Sequence, residues 1–508
     1  MWLALGGDVK RLLLTALACL VLTGTAWTQA FTSYDLRVNG SVIAVIPSRL
    51  RHSHQQDVIV ASKTGTFPNE VRWMSVFRQQ EGGRFTPHPD LVWELDPEAT
   101  VFDIGAIGDA GGRQSLVYLT GSEVRAYHLA EGARPTPVTL LKLPSMTVFP
   151  EPGDLSLWPL IHDWKGTGQP WLGVPEFGQL SLFPLGNHGP LTPPESVRIY
   201  QPTMIFGGDG QHRLIRDYSL QLIYRMPQLF VLDFNGDGRA DLIAAWQDNV
   251  DIYLQDATGR FAAQPSRSFR FDIRTEREKS LRSVLISPLL VDLNRDGDAD
   301  LVLTKMAGRI TDRRIVSMVY VNRRGDLRQR PDVQLEHDGF GTTLLANDLD
   351  GDGKQDLIFP LVRIGVMNIV RNLLTNRVEV SLLAHLYRDR EIYRPTPDWS
   401  RHFTYQIDMS DGVMLEGAWP QISGDFDGDG RADLLVVGNG EVAVYLAMSG
   451  PLFSPNAAAQ FPVKTSPHVL VRDLNGDQHA DVLLWYDTEP EWRGVLKVLM
   501  NTGRGWGR

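Results

Sequence analysis

The sequence predicts an all-β protein, a single β-propeller of seven or eight four-stranded antiparallel blades. Three observations carry that expectation. One acidic motif recurs five times in the second half of the chain. Short apolar runs flank every copy. A Gly-containing hairpin signal follows most copies at a regular interval. A chain of 508 residues is long for one compact core, but a closed ring of repeats grows without one.

The motif copies are DFNGDGRADL from Asp233, DLNRDGDADL from Asp292, DLDGDGKQDL from Asp348, DFDGDGRADL from Asp425 and DLNGDQHADV from Asp473. Their starts are 59, 56, 77 and 48 residues apart. Apolar runs follow each copy, among them Leu242–Trp246 and Val482–Tyr486. Runs of this length and composition, bounded by Gly and Asp, read as strands, so each motif is a tight loop between two strands. Some 25 to 35 residues beyond a motif start come YLQDATGRF, YVNRRGDL, YLAMSGPLF and VLMNTGRGW, each a strand entering a Gly turn.

The first two hundred residues carry the same plan with fewer acids. SVIAVIPSRLRHSHQQDVIVAS, GDAGGRQSLVYL and HDWKGTGQPWLGV stand where the acidic loops stand later, and the counterparts of Asp109 and Asp163 are expected to bind no metal. Counting these gives eight units. The last unit ends soon after Trp506 and lacks a fourth strand. The alternating segment 31–38 belongs to no unit and is expected to complete that blade and close the ring.

Residues 1–30 read as a signal peptide. Lys10 and Arg11 precede an apolar run from Leu12 to Leu22, and Thr28-Gln29-Ala30 fits a small-x-small cleavage site. The domain division is therefore 1–30 signal and 31–508 propeller, with a secreted or periplasmic destination. The one cysteine, Cys19, lies in the signal, so the mature chain has no disulfide to staple its loops. The formal charge of −10 opposes binding to phosphate backbones.

The acidic loops themselves are metal chemistry. In the fourth copy, Asp425, Asp427, Asp429 and Asp433 occupy positions 1, 3, 5 and 9, and the carbonyl of Arg431 at position 7 can join them. Alternate side chains on a curled loop converge into an all-oxygen cage, which suits calcium at about 2.3–2.6 Å. The corresponding sets are Asp233, Asn235, Asp237, Arg239 and Asp241; Asp292, Asn294, Asp296, Asp298 and Asp300; Asp348, Asp350, Asp352, Lys354 and Asp356; and Asp473, Asn475, Asp477, His479 and Asp481. The fifth copy is weaker, because Gln478 replaces the position-6 glycine. An EF-hand would need an acid at position 12, where Ala244, Leu303, Phe359, Val436 and Leu484 stand. The loops hold 17 carboxylates at ligand positions, enough that five divalent ions would cancel the formal charge.

These DxDGDGxxDL loops resemble the FG-GAP (VCBS) repeats of the integrin α-subunit propeller and of many exported bacterial proteins. The resemblance implies calcium loops bracing one face and a ligand bound by loops elsewhere, often in adhesion or glycan recognition. Integrin propellers have seven repeats against the eight units counted here. The expected function is a binding, adhesion or scaffold module for a protein or glycan partner. The alternative is a polysaccharide-acting lyase or hydrolase on the same scaffold. No GxSxG, HExxH, P-loop or cysteine nucleophile occurs.

Three further features were weighed. Arg324-Gly325-Asp326 sits in a hairpin turn of the repeat and reads as part of it. The overlong stretches 207–225 and 387–412 mix Arg, Tyr and acids, the second including Trp399, and read as extra strands or as ligand-binding loops. His52 and His54 read as surface residues.

Overall fold

The computed structural model describes residues 30–506, apart from short stretches at 52–53, 67–68, 109–112, 130–133, 147–154, 187–188, 208–219, 280–283, 309–312, 342–343, 363–374, 409–413 and 487–488. Residues 1–29 of the proposed signal segment and the loop at 109–112 therefore lie outside the described residues.

The repeats build eight antiparallel blades, each made of four main strands. Blade 4 shows the pattern. Its strands Gln228–Leu232, Asp241–Trp246, Asn249–Tyr253 and Arg267–Arg270 pair in sequence order. The acidic motif forms the connection between first and second strands, as its flanking apolar runs predict. The Gly turn lies between third and fourth strands, where Gln255 and Phe261 form a bridge. Blade 8 takes three strands, His468–Arg472, Asp481–Trp485 and Val495–Asn501, from the C-terminus. Its fourth is Phe31–Arg37, running from Phe31↔Asn501 to Arg37↔Val495. The N-terminal segment thus closes the ring as expected, and the count is eight.

The core is distributed. Among the described residues most buried apolar side chains fall into eight clusters, and each joins one pair of adjacent blades. One packs blade 4 residues Ile243, Ile252 and Phe271 against Leu290, Leu301 and Tyr320 of blade 5. The closing cluster packs Leu36, Leu483 and Val498 of blade 8 against Val58, Val60 and Phe77 of blade 1. Second strands such as Asp356–Val362, buried along their whole length, read as continuous apolar runs because blades cover both their faces.

The two overlong stretches contain strands. Thr203–Gly207 pairs with Leu220–Tyr224 as a small extra hairpin between blades 3 and 4. Trp399–Asp408 is the outer strand of blade 6. No helix among the described residues is long and apolar enough to cross a membrane.

Candidate metal centres and their degenerate counterparts

All five acidic loops fold alike. The position-1 carboxylate organises the turn by accepting backbone N–H bonds. In the first loop Asp233 Oδ1 accepts from Gly236 at 2.8 Å and Oδ2 from Gly238 at 2.7 Å. Asp425 accepts from Gly428 and Gly430, both at 2.7 Å. Asp473 accepts from Gly476 at 2.7 Å and Gln478 at 3.0 Å. Asp292 and Asp348 accept from the position-6 glycines Gly297 and Gly353 at 2.9 and 2.8 Å. Backbone wound this way needs left-handed residues. Gly428 has φ 78°, and a Cβ there would also lie 2.7 Å from the His479 ring of the next loop. Gln478 is left-handed at φ 71°, as the missing glycine predicts. The second loop shares the defect at position 4, where Arg295 has φ 63°.

The position-9 aspartates do more than sequence reasoning assigned to them. Asp241, Asp300, Asp356, Asp433 and Asp481 are buried. Each bridges two backbone donors. Oδ2 accepts from the position-2 N–H, as in Phe234 to Asp241 at 3.1 Å and Leu474 to Asp481 at 2.9 Å. Oδ1 accepts from a backbone N–H at or just beyond the end of the third strand: Gln255, Asn322, Tyr387, Ala447 and Asn501, at 2.7 to 2.8 Å. Burial pushes these carboxyls up, with the other loop carboxylates adding to it and the two N–H bonds opposing it. Asp241 rises to about 6, Asp300, Asp356 and Asp433 to about 7, and Asp481 to about 8. A buried carboxyl facing like charges is the environment a divalent cation relieves.

In two loops the carboxylates converge as such an ion requires. Carboxylate oxygens of Asp348, Asp350 and Asp356 lie within 4.8 Å of one another, as do those of Asp425, Asp427 and Asp429. In the other three loops position 3 is asparagine. There its amide donates to the position-5 carboxylate: Asn235 to Asp237 at 3.0 Å, Asn294 to Asp296 at 2.8 Å and Asn475 to Asp477 at 2.9 Å. The position-7 side chains have other work. Arg239 and Arg431 pair with Asp237 and Asp429. Lys354 pairs with Asp389. Asp298 accepts from Arg324 N–H at 2.9 Å, and His479 Nδ1 lies 3.1 Å from the Phe426 carbonyl of the preceding blade.

In blades 4, 5 and 8 an amide side chain at the end of the third strand ties the blade to its predecessor. Asn322 Nδ2 donates to the Phe234 carbonyl at 2.7 Å, Asn501 Nδ2 to that of Phe426 at 2.8 Å, and Gln255 Nε2 to that of Lys165 at 3.2 Å. The acidic motif does not include these residues, although a Gln or Asn recurs at the end of each of those third strands.

Blades 1 and 3 keep the frame and replace the acids. Asp57 in blade 1 is a position-9 aspartate. It is buried, begins the second strand and accepts from Gln79 N–H at 2.9 Å, as Asp241 does from Gln255. Its signal was legible, since QQDVIV parallels KQDLIF of the third loop. The Arg51 guanidinium donates to Asp57 Oδ1 and to the Gln79 carbonyl, both at 2.6 Å. In blade 3 Asp163 accepts from Gly168 at 2.6 Å in the position-1 manner. The pairing His162↔Trp171 puts a tryptophan at position 9. Position 3 is Lys165, only 3% exposed, with Nζ 2.8 Å from both Glu195 oxygens and 3.8 Å from the Phe261 ring centre. Burial lowers the Lys165 ammonium and Glu195 opposes that shift.

The remaining candidates are structural. In Arg324-Gly325-Asp326 the Arg324 N–H is held by Asp298, the Arg267 guanidinium donates to the Gly325 carbonyl, and the Asp326 carbonyl accepts from Arg323 N–H. Trp399 packs edge-on against Phe453, 5.2 Å between ring centres. His54 is exposed, and His52 lies outside the described residues.

An FG-GAP-like repeat model matches residues 233–303, 292–359 and 425–484. Together with the eight blades, these matches support an FG-GAP-type β-propeller in the second half of the chain. No curated protein matches it. Among solved structures it is similar to the β-propeller domain of Cps50 (Swd1) from Myceliophteria thermophila. That likeness has 10% identity and a TM-score of 0.32, covering 93% of this chain and 100% of that one. It is also similar to the dihydro-heme d1 dehydrogenase NirN in complex with DHE. Here identity is 11% and the TM-score 0.33, covering 85% of this chain and 78% of that one. Both likenesses are too loose in shape to bear on function.

Proposed function

We propose that the protein is an exported, calcium-braced propeller that serves as a binding or scaffold module for a protein or glycan partner. The observation that carries this reading is the shared geometry of the five loops, each with a buried position-9 carboxyl pushed up in pKa beside its ligand-position neighbours. The holding groups are the side chains at positions 1, 3, 5 and 9 and the position-7 carbonyl of each loop, named above. Calcium bound there supplies two positive charges per loop and ties the position-1 turn to the second strand. In a chain whose only cysteine is Cys19, that tie replaces a disulfide.

The face opposite the metal loops favours binding. Phe177 lies in the turn joining the second and third strands of blade 3, and Tyr200 and Tyr224 lie in the crossover to blade 4. Both connections leave the strand ends opposite the acidic loops. The three rings are 49%, 67% and 39% exposed, and Phe177 and Tyr224 meet edge to face at 5.1 Å. Exposed aromatics of this kind are contact groups for protein or sugar surfaces.

Thermal unfolding with excess calcium and with a chelator tests the metal reading. A rise in melting temperature with calcium, absent with magnesium at equal concentration, is expected. Coincident curves would reduce the loops to acidic turns and remove the brace.

A further inference from the structure

The clefts between neighbouring blades on the metal-loop face are not equivalent. The residue two places beyond the position-9 aspartate fixes a common register through the third strand to the outer strand. It pairs Ile243 with Ile252 and Arg267 in blade 4, and Ile358 with Ala384 and Trp399 in blade 6. In blade 7 it pairs Leu435 with Val444 and Ala459, and in blade 8 Leu483 with Val498 and Tyr34. Arg267 crosses to the Gly325 carbonyl of blade 5. Trp399 lies on Phe453 of blade 7. Ala459 is buried in a cluster with Phe31 and Trp506. At the seam where the ring closes, Tyr34 instead leans on Phe85, 6.3 Å between ring centres, and a cleft of about 670 Å³ remains open between blades 8 and 1.

We propose that this seam cleft is a binding site for a neutral saccharide, an inference that rests on the binding-module reading above. Its volume lies in the range of small-ligand sites, about 300–1,000 Å³. Tyr34 and the buried Met500 give it an apolar wall suited to the C–H face of a sugar ring. Around that wall stand the hydroxyls of Thr32 and Thr502 and the amide of Gln55, the last two also bonded to the Ala30 and Gln80 carbonyls at 3.3 and 3.4 Å, and their oxygens can accept from sugar hydroxyls. The charged side chains of the lining are Arg504 and Asp477, the latter shared with the fifth loop, so the cleft offers no cluster of one sign to select a phosphate or a carboxylate. Gly82 and Gly83 form a low wall on the blade 1 side and leave the mouth open for a sugar within a longer chain. The fifth loop positions part of the site, because Asn475 Oδ1 accepts from Asp477 N–H at 3.2 Å and Nδ2 donates to its carboxylate.

The test is saturation-transfer NMR on the purified calcium-treated protein. The probes are D-glucose, D-galactose, D-mannose, N-acetyl-D-glucosamine, maltose and cellobiose, at millimolar concentration. At least one is expected to bind, with a tenfold or greater weakening in Arg504→Ala and Tyr34→Ala. Tyr34→Phe, which keeps the ring, should retain most of the affinity and controls for misfolding. A sugar bound equally well by Arg504→Ala and Tyr34→Ala sits elsewhere and overturns the cleft, while the binding-module reading stands. No sugar bound, in protein whose melting temperature still rises with calcium, overturns the inference and leaves the braced scaffold. A sugar lost from both variants in protein indifferent to calcium supports the cleft and removes the brace.

Discussion

Blades 3 and 4 stand side by side and solve one electrostatic problem in two ways. Both begin the loop between first and second strands with an aspartate that accepts the position-6 N–H, from Gly168 in one and Gly238 in the other. Blade 4 then adds Asp237, which Arg239 pairs from within the loop, and the buried Asp241. Blade 3 puts a buried cation in the chain. Lys165 fills position 3, Glu195 of the outer strand neutralises it, and Trp171 takes the place of the last acid. Blade 1 does likewise with Arg51 and Asp57. The position-1 turn is therefore not itself a mark of metal. Blades 1 and 3 carry a basic side chain within the loop, whereas blades 4 to 8 carry the full acidic set proposed above to hold calcium.

The comparison breaks or holds first under chelation. At calcium about 100-fold above its dissociation constant, each loaded loop adds about 2.7 kcal/mol. Removing calcium should raise amide exchange in residues 226–505 far more than in residues 57–200, as hydrogen exchange read by mass spectrometry would report. Uniform deprotection would mean that the ring responds as one body.

Next in size is Lys165→Ala. Taking one partner from a buried ion pair costs about 3–5 kcal/mol, because Glu195 is left without its cation. The same loss is expected with calcium or chelator, measured by denaturant unfolding. A loss that vanishes on chelation would couple blade 3 to the metal loops and undo the contrast.

A pH effect of about 3 kcal/mol follows from Asp103 in the inner strand of blade 2. Burial pushes its carboxyl from 3.8 to about 6, opposed by N–H bonds from Ile104 and Ile161. A raised carboxyl binds its proton more tightly in the folded chain. Its contribution is therefore complete below about pH 4 and is lost as pH rises to about 6. Asp103→Asn removes that slope. The melting temperature of the variant should gain on the parent between pH 4.5 and 7, in chelator as in calcium. Parallel curves would refute it.

The smallest change is Gln478→Gly. Relieving a left-handed glutamine should stabilise the fifth loop by about 0.5–1 kcal/mol and tighten its calcium binding slightly, as titration calorimetry would measure. Weaker binding would mean that the Gln478 side chain has a role in the loop that its strained backbone does not disclose.

The sequence by itself determined the propeller class, the strand–loop–strand order, the loop positions and the use of the segment from residue 31 to close the ring, while the choice of eight blades over seven came with the structure. Those features follow from local signals: period, apolar runs and turn residues. It also located every acid of the five loops. Only the tertiary structure decided what each acid does. Asp241 and its counterparts bridge backbone groups 7 and 14 to 31 residues away in the chain, which spacing cannot disclose. Likewise Lys165 becomes an internal cation only because folding brings Glu195, 30 residues on, to its side. Tyr34 lines an open cleft rather than filling it because blade 1 sets Phe85 beside it. Local propensity sets the elements. Charge compensation, burial and open space depend on neighbours that the chain meets only after closing its ring.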